Sequence, residues 1–238
     1  MLQQTATTRQ TAAAERIGRS LESLQQQLPL TRRVVRAGEA VYRAGDMLNC
    51  LHIVHFGCVK AVNVAADGRE QVVGLHFKGD WLGFDGIDSG QQTCDAIAMD
   101  LTEVWSIRYS TLLKACAEEP SLMALVHAAM SREICRDRDS MLSLCTLPAD
   151  ARVADFLRAW ADALAERGLR TDQITIHMTR AEIGNYLGMK LETVSRALAR
   201  LARENVIAFS RTGRRDLHIP DVGALTAFVQ RGCLNGAN

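Results

Sequence analysis

The chain has 238 residues, of which 28 are Lys or Arg and 27 are Asp or Glu, so its formal net charge is only +1. That length allows one large domain or two of ordinary size, and a hydrophobic content of 47% is enough for real cores. No apolar run approaches eighteen residues and the N-terminus has no hydrophobic segment, which excludes a membrane span and a signal peptide and predicts a cytoplasmic protein. The seven cysteines contain no C-x-x-C pair, which argues against a zinc knuckle or a disulfide framework, and most are expected to be small buried hydrophobes.

Residues 1–30 are predicted to form a polar arm followed by a short helix. The first fifteen residues are rich in Gln, Thr and Ala and are expected to be frayed. The helix, which is expected to pack on the domain that follows, is indicated by apolar residues at helical spacing: Ile17, Leu21, Leu24 and Leu28.

Residues 31–110 are predicted to form an antiparallel β jelly roll. Short runs such as LHIVHFGCVKAVNV and REQVVGLHFKGD alternate apolar and polar residues and are separated by turn residues at regular intervals. The Asp67-Gly68 step between two of these runs is a strong hairpin signal. Evenly spaced short strands of this kind are typical of a jelly roll. With the helical segments on either side, the fold class is predicted to be α+β.

Residues 111–147 are predicted to form a long dimerisation helix. Steps of four and three residues alternate along it for three heptads, which is the pattern of a coiled-coil seam rather than of a helix packed on its own domain. A parallel homodimer is therefore expected, and the side chains predicted to lie on its seam are Met123, His127, Met130, Ile134, Asp137, Met141 and Leu144.

Two of the predicted seam residues are polar. If Asp137 meets its own copy across a two-fold axis, two carboxylates compete for a poorly solvated space, which weakens the dimer or raises one pKa. His127 adds a similar like-charge pair below neutral pH. The alternative is that Arg136 or Arg138 folds over Asp137 and neutralises it, which would make the seam permanent.

Residues 148–238 are predicted to contain two short helices with a tight turn between them, after an amphipathic helix and a short strand. Thr179 followed by Glu182 is a capping box that starts the first helix, and Gly188 ends it. The second helix, residues 191–203, has an apolar stripe of Leu191, Val194, Leu198 and Leu201. Its polar edge of Glu192, Ser195 and Arg196 has the spacing to reach adjacent base pairs in a DNA major groove. On the helix pair alone, an ordinary αα-hairpin with a solvated face remains an equal alternative.

The residues after the helix pair favour a winged helix-turn-helix. Two β-rich runs, VIAFS and RDLHI, flank the turn RTGR, with Arg211, Arg214 and Arg215 at its tip. Residues 178–215 hold eight Lys or Arg against three acids, in a chain that is otherwise almost neutral. Such a local excess is best explained by a phosphate-facing surface. The predicted phosphate contacts are Thr179, Arg180, Lys190, Arg200 and Arg214.

The segment TRAEIGNYLG followed by ETVSR resembles the DNA-binding motif of the CRP/FNR superfamily and is most similar to its FNR branch. The resemblance extends to the jelly roll and covers about residues 20–230. It implies base contacts from Glu192, Ser195 and Arg196, a palindromic TTGAT-type site in double-stranded DNA, a homodimer, and RNA polymerase as a further partner. Relatives usually have Ser or Thr just before the second helix, whereas this chain has Lys190, which suggests that a helix cap is exchanged for a phosphate contact.

The sensory signals known in this superfamily are not supported by the residues of this chain. CRP-type rolls bind cyclic AMP through a G-E-L segment and a later Arg, but the corresponding stretch LGFDGIDSGQQTCDAIA has Asp85 and no Arg. FNR holds a [4Fe–4S] cluster with three N-terminal cysteines and one in the roll, but here the first cysteine is Cys50, and Trp105 stands at what resembles the fourth position. Neither a cyclic nucleotide nor such a cluster is expected, and the effector is left open.

Other functions were weighed against a DNA-binding regulator. A ligand-binding module that acts through a protein partner would explain the roll and the long helix but not the basic wing. An enzyme is not expected, because the six histidines are scattered and no nucleophile, phosphate-loop or metal motif occurs. A thiol switch at Cys135 and Cys145 has as its alternative two inert packed thiols, and haem binding at His127 has no local motif to support it.

Overall fold

The computed structural model describes residues 2–65, 67–210 and 215–235, with side chains from residue 12 to residue 234 outside the same gaps. Within it the chain divides into two compact units. One comprises residues 15–137, and the other comprises residues 1–14 together with residues 138–238. In the described part of the chain, the helices are too short or too polar to cross a membrane.

The first unit contains two four-stranded antiparallel sheets, which confirms the predicted jelly roll. One sheet has the order β1-β8-β3-β6 and the other the order β2-β7-β4-β5. A 3₁₀ turn, Phe84–Gly86, follows β6. The strands are β1 (Thr31–Val35), β2 (Ala40–Tyr42), β3 (Cys50–Phe56), β4 (Cys58–Val64), β5 (Glu70–Phe77), β6 (Trp81–Leu82), β7 (Asp95–Ala98) and β8 (Thr102–Arg108).

The alternation of apolar and polar residues along the strands divides the core of this unit in two. Val54 and Val104 point from the first sheet towards the second and pack with Val59 and Ala96 between the sheets. Leu51, Ile53, Trp105 and Ile107 form part of a second cluster that also contains helical residues. Strands β3 and β8 are therefore buried on both sides.

Helix α1 (Leu2–Gln27) supplies part of that second cluster. Leu21 and Leu24 at its end, and Leu28 just after it, are buried there, as predicted. The helix begins at Leu2, so it is longer than the short helix that the sequence predicted. Residues 2–17 contain neither Gly nor Pro and are rich in Ala and Gln, which are good helix formers.

The predicted single helix over residues 111–147 is two helices, α2 (Tyr109–Glu118) and α3 (Pro120–Thr146). Glu119 between them is extended, with φ −128° and ψ 95°. A residue before proline disfavours the helical conformation, and proline itself is well suited to the first position of a new helix. The break therefore follows from Pro120, which the heptad pattern alone does not reveal.

Helix α3 turns one stripe towards the roll, formed by Leu122, Val126 and Ala129, which are buried in the second cluster. Arg136 lies on the same side further along, and its Nη1 donates to Asp80 Oδ2 of the roll at 2.6 Å. The predicted seam residues from Met123 to Asp137 lie on the neighbouring face. Met123, His127 and Met130 each come one position after a residue of the buried stripe, whereas Ile134 follows Glu133 and Asp137 follows Arg136. The helix thus carries two adjacent faces with different surroundings.

The second unit is a small helical domain with a three-stranded antiparallel sheet of order β10-β11-β9. Its core is formed by residues such as Val153, Leu157, Val194, Leu201 and Leu225, each fully buried. The elements are α4 (Ala149–Ala165), β9 (Gln173–Thr175), α5 (Arg180–Tyr186), α6 (Leu191–Arg203), β10 (Ala208–Phe209), β11 (Asp216–His218) and α7 (Val222–Asn235).

Candidate nucleic-acid interface

The helix pair α5 and α6 is started and stopped by the residues that the sequence indicated. Glu182 N donates to Thr179 Oγ1 at 3.1 Å, and Thr179 N donates to Glu182 Oε2 at 2.7 Å, which completes the capping box. Helix α5 ends at Tyr186, and Gly188 has φ 62°, a left-handed value that suits glycine at a helix C-terminus. The predicted turn between the two helices is therefore present.

Helix α6 has one buried and one exposed side. Val194, Leu198 and Leu201 are buried as predicted, but Leu191 is 44% exposed, so the prediction that it belongs to the buried stripe was wrong. Leu191 is the first residue of α6, at the end of the helix, where fewer neighbouring side chains cover it. Glu192 and Arg196 lie on the exposed side.

The three predicted base-contacting side chains lie on one edge of α6 but differ in their surroundings. Glu192 and Arg196 are exposed, and the nearest hydrogen-bond partner of Arg196 is Thr193 Oγ1 at 3.5 Å. Ser195 is half-buried, and its Oγ accepts from Arg180 Nη1 at 3.1 Å. The structure thus places an acceptor, a hydroxyl and a guanidinium within one turn of the helix N-terminal half.

Arg180 joins the two helices of the motif to the wing sheet. Besides its bond to Ser195, its guanidinium carbon lies 5.8 Å from the ring centre of Phe209 in β10, within cation–π range. Phe209 was not singled out from the sequence, where an isolated aromatic residue in a β-rich run indicates only a strand. The contact orients a basic side chain at the edge of α6.

The predicted phosphate contacts are partly available in this structure. Lys190 is exposed and occupies the N-cap of α6 without a side-chain cap, while its carbonyl accepts from Thr193 N at 3.0 Å. Thr179 is exposed, but its hydroxyl also donates to Glu182 Oε2 at 2.8 Å. Arg214, like Arg211, lies outside the described residues. Arg215 is described and exposed.

Arg200 is the predicted phosphate contact with the strongest competing interactions. Its Nη1 donates to Asp150 Oδ2 of α4 at 2.7 Å, and its Nε donates to Glu204 Oε1 at 3.0 Å. A contact from Arg200 to phosphate would use the N–H groups that these two bonds leave over, and its charge would be shared with the two carboxylates. Among the described residues, by contrast, Arg180, Lys190 and Arg196 have no acidic partner.

Arg152 of α4 is a further residue that the sequence analysis did not identify. Its Nη1 donates to the carbonyl of Leu187 at the end of α5, at 2.9 Å, and its Nε donates to the carbonyl of Leu147 at 3.1 Å. One side chain therefore satisfies carbonyl groups at two chain turns beside the helix pair. An arginine on an amphipathic helix gives no sequence signal for such a role.

The predicted seam residues of α3 lie along one side of the helix. Met123 and Met130 are half-buried against the core beneath them, whereas His127 and Asp137 are exposed. The remaining three are apolar and exposed, namely Ile134 (47%), Met141 (67%) and Leu144 (37%). In the single chain, the second half of the predicted seam is therefore uncovered apolar surface.

Asp137 is not neutralised by the adjacent Arg136, one of the two arginines that could fold over it. Arg136 is bonded to Asp80, so its guanidinium does not fold over Asp137. Although the Asp137 side chain is exposed, neighbouring groups displace part of the water around its carboxyl, which raises the pKa of that carboxyl, and the nearby positive charge of Arg136 opposes the rise.

The roll contains a polar cluster at the place where a cyclic nucleotide-binding domain would hold its ligand. Asp85 Oδ2 accepts from Thr93 N at 2.8 Å and from Thr93 Oγ1 at 2.6 Å, and Cys94 Sγ lies 3.6 Å from the same oxygen. Asp85 is thus occupied by its own loop. The segment from Gly83 to Ala98 contains no Lys or Arg, and the cation of Arg136 is paired with Asp80. These residues do not fit an anionic cyclic nucleotide.

The cysteines fall into two groups. Cys58, Cys94 and Cys116 are buried, but the other four are not, so the prediction that most of the seven are buried was wrong. Burial raises the pKa of each of these three thiols, which leaves them unreactive. Cys135 and Cys145 are exposed on α3, so the interpretation of these two as packed thiols was wrong for the single chain.

A β roll, a long helix and a winged helix-turn-helix together define a DNA-binding transcription regulator, not an enzyme. The sequence matches the family models for the cyclic nucleotide-binding domain over residues 32–119 and for the Crp-like helix-turn-helix domain over residues 151–228. Both parts of the predicted architecture are thereby confirmed.

The chain belongs to the CRP/FNR superfamily. It is 34% identical over 177 residues to the fumarate and nitrate reduction regulatory proteins of Yersinia pestis and of Escherichia coli K12, which covers 74% of this chain and 71% of each relative. Among solved structures it is similar to FixK2 from Bradyrhizobium japonicum, with a TM-score of 0.74 and 30% identity over 84% of this chain and 97% of that one.

Proposed function

We propose that this regulator binds a palindromic, TTGAT-like site in double-stranded DNA as a homodimer, with one helix α6 in each major-groove half-site. The observation that supports this most directly is the exposed edge of α6 formed by Glu192, Ser195 and Arg196. Arg196 and the neighbouring Arg180 and Lys190 have no acidic partner in the described part of the chain, so their charges are available to DNA.

The three side chains match the hydrogen-bonding groups of base edges. The guanidinium of Arg196 can donate to both N7 and O6 of guanine, and the carboxylate of Glu192 can accept from the amino group of cytosine. Ser195 is oriented by Arg180 through the 3.1 Å bond between them. In this proposal Thr179, Arg180, Lys190, Arg200 and Arg214 contact phosphates, and Arg200 can do so with the N–H groups that its bonds to Asp150 and Glu204 leave over.

The proposed dimer is parallel and is formed by the seam of α3. The exposed apolar side chains Ile134, Met141 and Leu144 would be covered by their copies, and Asp137 would face a second carboxylate in a partly desolvated space. Asp137 therefore weakens the dimer and makes it dependent on a signal. RNA polymerase is the further partner that membership of this superfamily suggests.

The effector is proposed to be neither a cyclic nucleotide nor a [4Fe–4S] cluster of the FNR type. The first exclusion rests on Asp85, which is bonded to Thr93, and on Arg136, which is paired with Asp80. The second rests on the positions of the cysteines in the sequence, which begin at Cys50 within the roll. A thiol or haem response remains the alternative.

The proposal is tested by fluorescence anisotropy with a duplex that carries two inverted TTGAT half-sites about one helical turn apart. Arg196→Ala should weaken binding by roughly 1–3 kcal/mol per half-site and should relax selectivity at one base pair of each half-site. The reason is that a lost bidentate contact removes discrimination as well as affinity.

Lys190→Ala and Arg170→Ala serve as controls for the Arg196 measurement. Lys190→Ala should weaken binding to palindromic and scrambled duplexes equally. It should also reduce the slope of the logarithm of the binding constant against the logarithm of salt concentration by about one. Arg170 is exposed and paired with Asp172 at 2.7 Å, and Arg170→Ala should change neither the affinity for DNA nor the salt dependence of binding. If Arg196→Ala discriminated between the two duplexes as the parent does, the assignment of base contacts would be wrong.

A further inference from the structure

The DNA-binding domain contains a cavity that the proposed contacts with DNA do not use. Its volume is about 440 Å³, and it lies among α4, α5, α6 and the small sheet. Protein interiors are normally packed without voids larger than a water molecule, whereas sites for small molecules measure about 300–1,000 Å³. The cavity is partly open to solvent, and its volume lies within that range, so it has room for a small molecule.

The floor of the cavity is apolar. Val153 and Leu157 of α4, Ile176 beside the sheet and Leu198 of α6 all line it, and all four are buried. A group placed there would lose its contacts with water and gain only dispersion contacts. The inner part therefore suits a hydrocarbon chain or ring and excludes a charged or strongly hydrated group.

The mouth of the cavity has the opposite character. The lining residues that remain accessible include Arg180 and Arg215, together with the hydroxyl groups of Thr179 and Ser195. Among the described residues that line the cavity there is no carboxylate, and neither arginine has an acidic partner. The Thr179 hydroxyl already donates to Glu182 Oε2 at 2.8 Å, so the donors available to a ligand are the two guanidinium groups and the Ser195 hydroxyl, a set that suits a carboxylate.

We propose that this cavity binds an amphipathic monocarboxylate, with the apolar tail on the floor and the carboxylate at Arg180 and Arg215. A carboxylate at Arg180 would compete with Ser195 Oγ, which now accepts from that guanidinium at 3.1 Å. It would also cancel positive charge beside the leading edge of α6. The ligand therefore opposes DNA binding, and this last step rests on the function proposed above.

The binding step is tested by isothermal titration calorimetry of the full chain with octanoate, with 1-octanol as the uncharged match and acetate as the match without a tail. Octanoate should bind one site per chain, and octanol should bind more than tenfold more weakly, because it loses the charge-assisted hydrogen bonds to both arginines. Acetate should show no heat of binding over the same range. Equal binding of octanoate and octanol would overturn the proposal, as would no binding of octanoate.

Variants locate the site. Arg180→Ala and Arg215→Ala should each weaken octanoate binding by about tenfold for the same reason, whereas Arg170→Ala, which is exposed elsewhere in the domain, should leave it unchanged. Both arginines are accessible, so the variants should keep the fold, and circular dichroism checks this. Octanoate binding that is insensitive to both substitutions would place the ligand elsewhere and contradict the proposal.

The effect on DNA is measured separately by anisotropy with the palindromic duplex at equal sodium concentrations of octanoate or acetate. Saturating octanoate should weaken DNA binding by about tenfold or more, since the carboxylate and a phosphate would share Arg180. A calorimetric site in a chain that binds no DNA would refute the proposed function and leave the cavity assignment intact. Octanoate that binds without weakening DNA binding would refute the antagonism.

Discussion

Glu133 is an acidic residue of the roll unit whose carboxyl is partly buried. Its Oε2 is buried and has no hydrogen-bond partner in the described structure. Burial raises the pKa of this carboxyl to about 7. The charge of Arg136 opposes the rise, and the carboxylates of Asp137, Asp85 and Asp80 add to it. The group is thus close to its titration point at neutral pH.

The raised pKa of Glu133 predicts that the roll loses stability as pH increases. Between about pH 4.5 and pH 7 the folded chain binds a proton that the unfolded chain has released, so the free energy of unfolding falls by about 3 kcal/mol and stays low at higher pH. Glu133→Gln cannot ionise and should remove this loss. Urea unfolding followed by tryptophan fluorescence should find the variant equal to the parent at pH 5 and more stable at pH 8.

His76 makes a comparison with the parent chain essential for that measurement. Burial lowers its pKa to about 4, so its titration in the unfolded chain makes stability fall as pH decreases below 6.5, the opposite direction to Glu133. Because His76 is present in parent and variant alike, their difference isolates Glu133. An exposed control, Glu118→Gln, should follow the parent at both pH values. A profile for Glu133→Gln that also follows the parent would show that this carboxyl is already solvated.

Among the elements, the turn of the helix pair depends on a glycine at which the usual effect of Gly→Ala is reversed. A Cβ on Gly184 would lie 2.6 Å from the carbonyl oxygen of Met189, whose N donates to Gly184 O at 2.8 Å. Gly184→Ala should therefore force α5 away from the turn, cost about 1–3 kcal/mol of stability and weaken DNA binding. Thermal unfolding and anisotropy measure the two effects.

Gly18 in α1 provides the matched control for Gly184. A Cβ there would have nothing within 4 Å, so alanine should add about 0.5–1 kcal/mol through its better helix propensity. The two substitutions are chemically identical and should have opposite signs. A stabilising Gly184→Ala would mean that α5 and the turn are less tightly joined than the structure shows.

The elements that the sequence predicted correctly are those set by neighbouring residues. Thr179 and Glu182 are three positions apart and make both bonds of the capping box, and Gly188 ends the helix within the same segment. Pro120 was also visible in the sequence, but the apolar repeat ran across it and concealed the break between α2 and α3. The capping box and the helix-ending glycine therefore predicted the helix-turn-helix, whereas the heptad repeat of α3 concealed the helix break that Pro120 signals.

The contacts that the sequence could not predict join distant residues. Arg200 pairs with Asp150, fifty positions away, and Arg180 stacks on Phe209 of the wing sheet. Both arginines lie outside the apolar stripe of their helix, so the helical pattern of the sequence predicts the same exposed position for each. Only the folded arrangement pairs the Arg200 guanidinium with two carboxylates and leaves Arg180 without an acidic partner among the described residues.

For the whole molecule, the proposed function depends on an assembly in which one chain is half of the working unit. A palindromic site needs two copies of α6 at a fixed separation, and a seam along α3 would set it. Uncovered apolar side chains at Ile134 and Met141 are costly in a monomer because they stay in contact with water. Asp137 lies on the same predicted seam, and bringing it against its copy is also costly. The free energies of monomer and dimer should therefore be similar.

The register of the dimer can be tested with two adjacent residues that are almost equally exposed, Met141 (67%) and Leu142 (62%). Met141 lies on the predicted seam, whereas Leu142 is rotated about 100° around the helix. Met141→Glu should therefore place a second like-charge pair in the interface and shift the chain to monomers in sedimentation velocity, while Leu142→Glu should not. The Met141 variant should also lose affinity for the palindrome but not for an isolated half-site. If Leu142→Glu were the substitution that dissociates the dimer, the two helices would meet along the neighbouring face and the seam would be wrong by one residue.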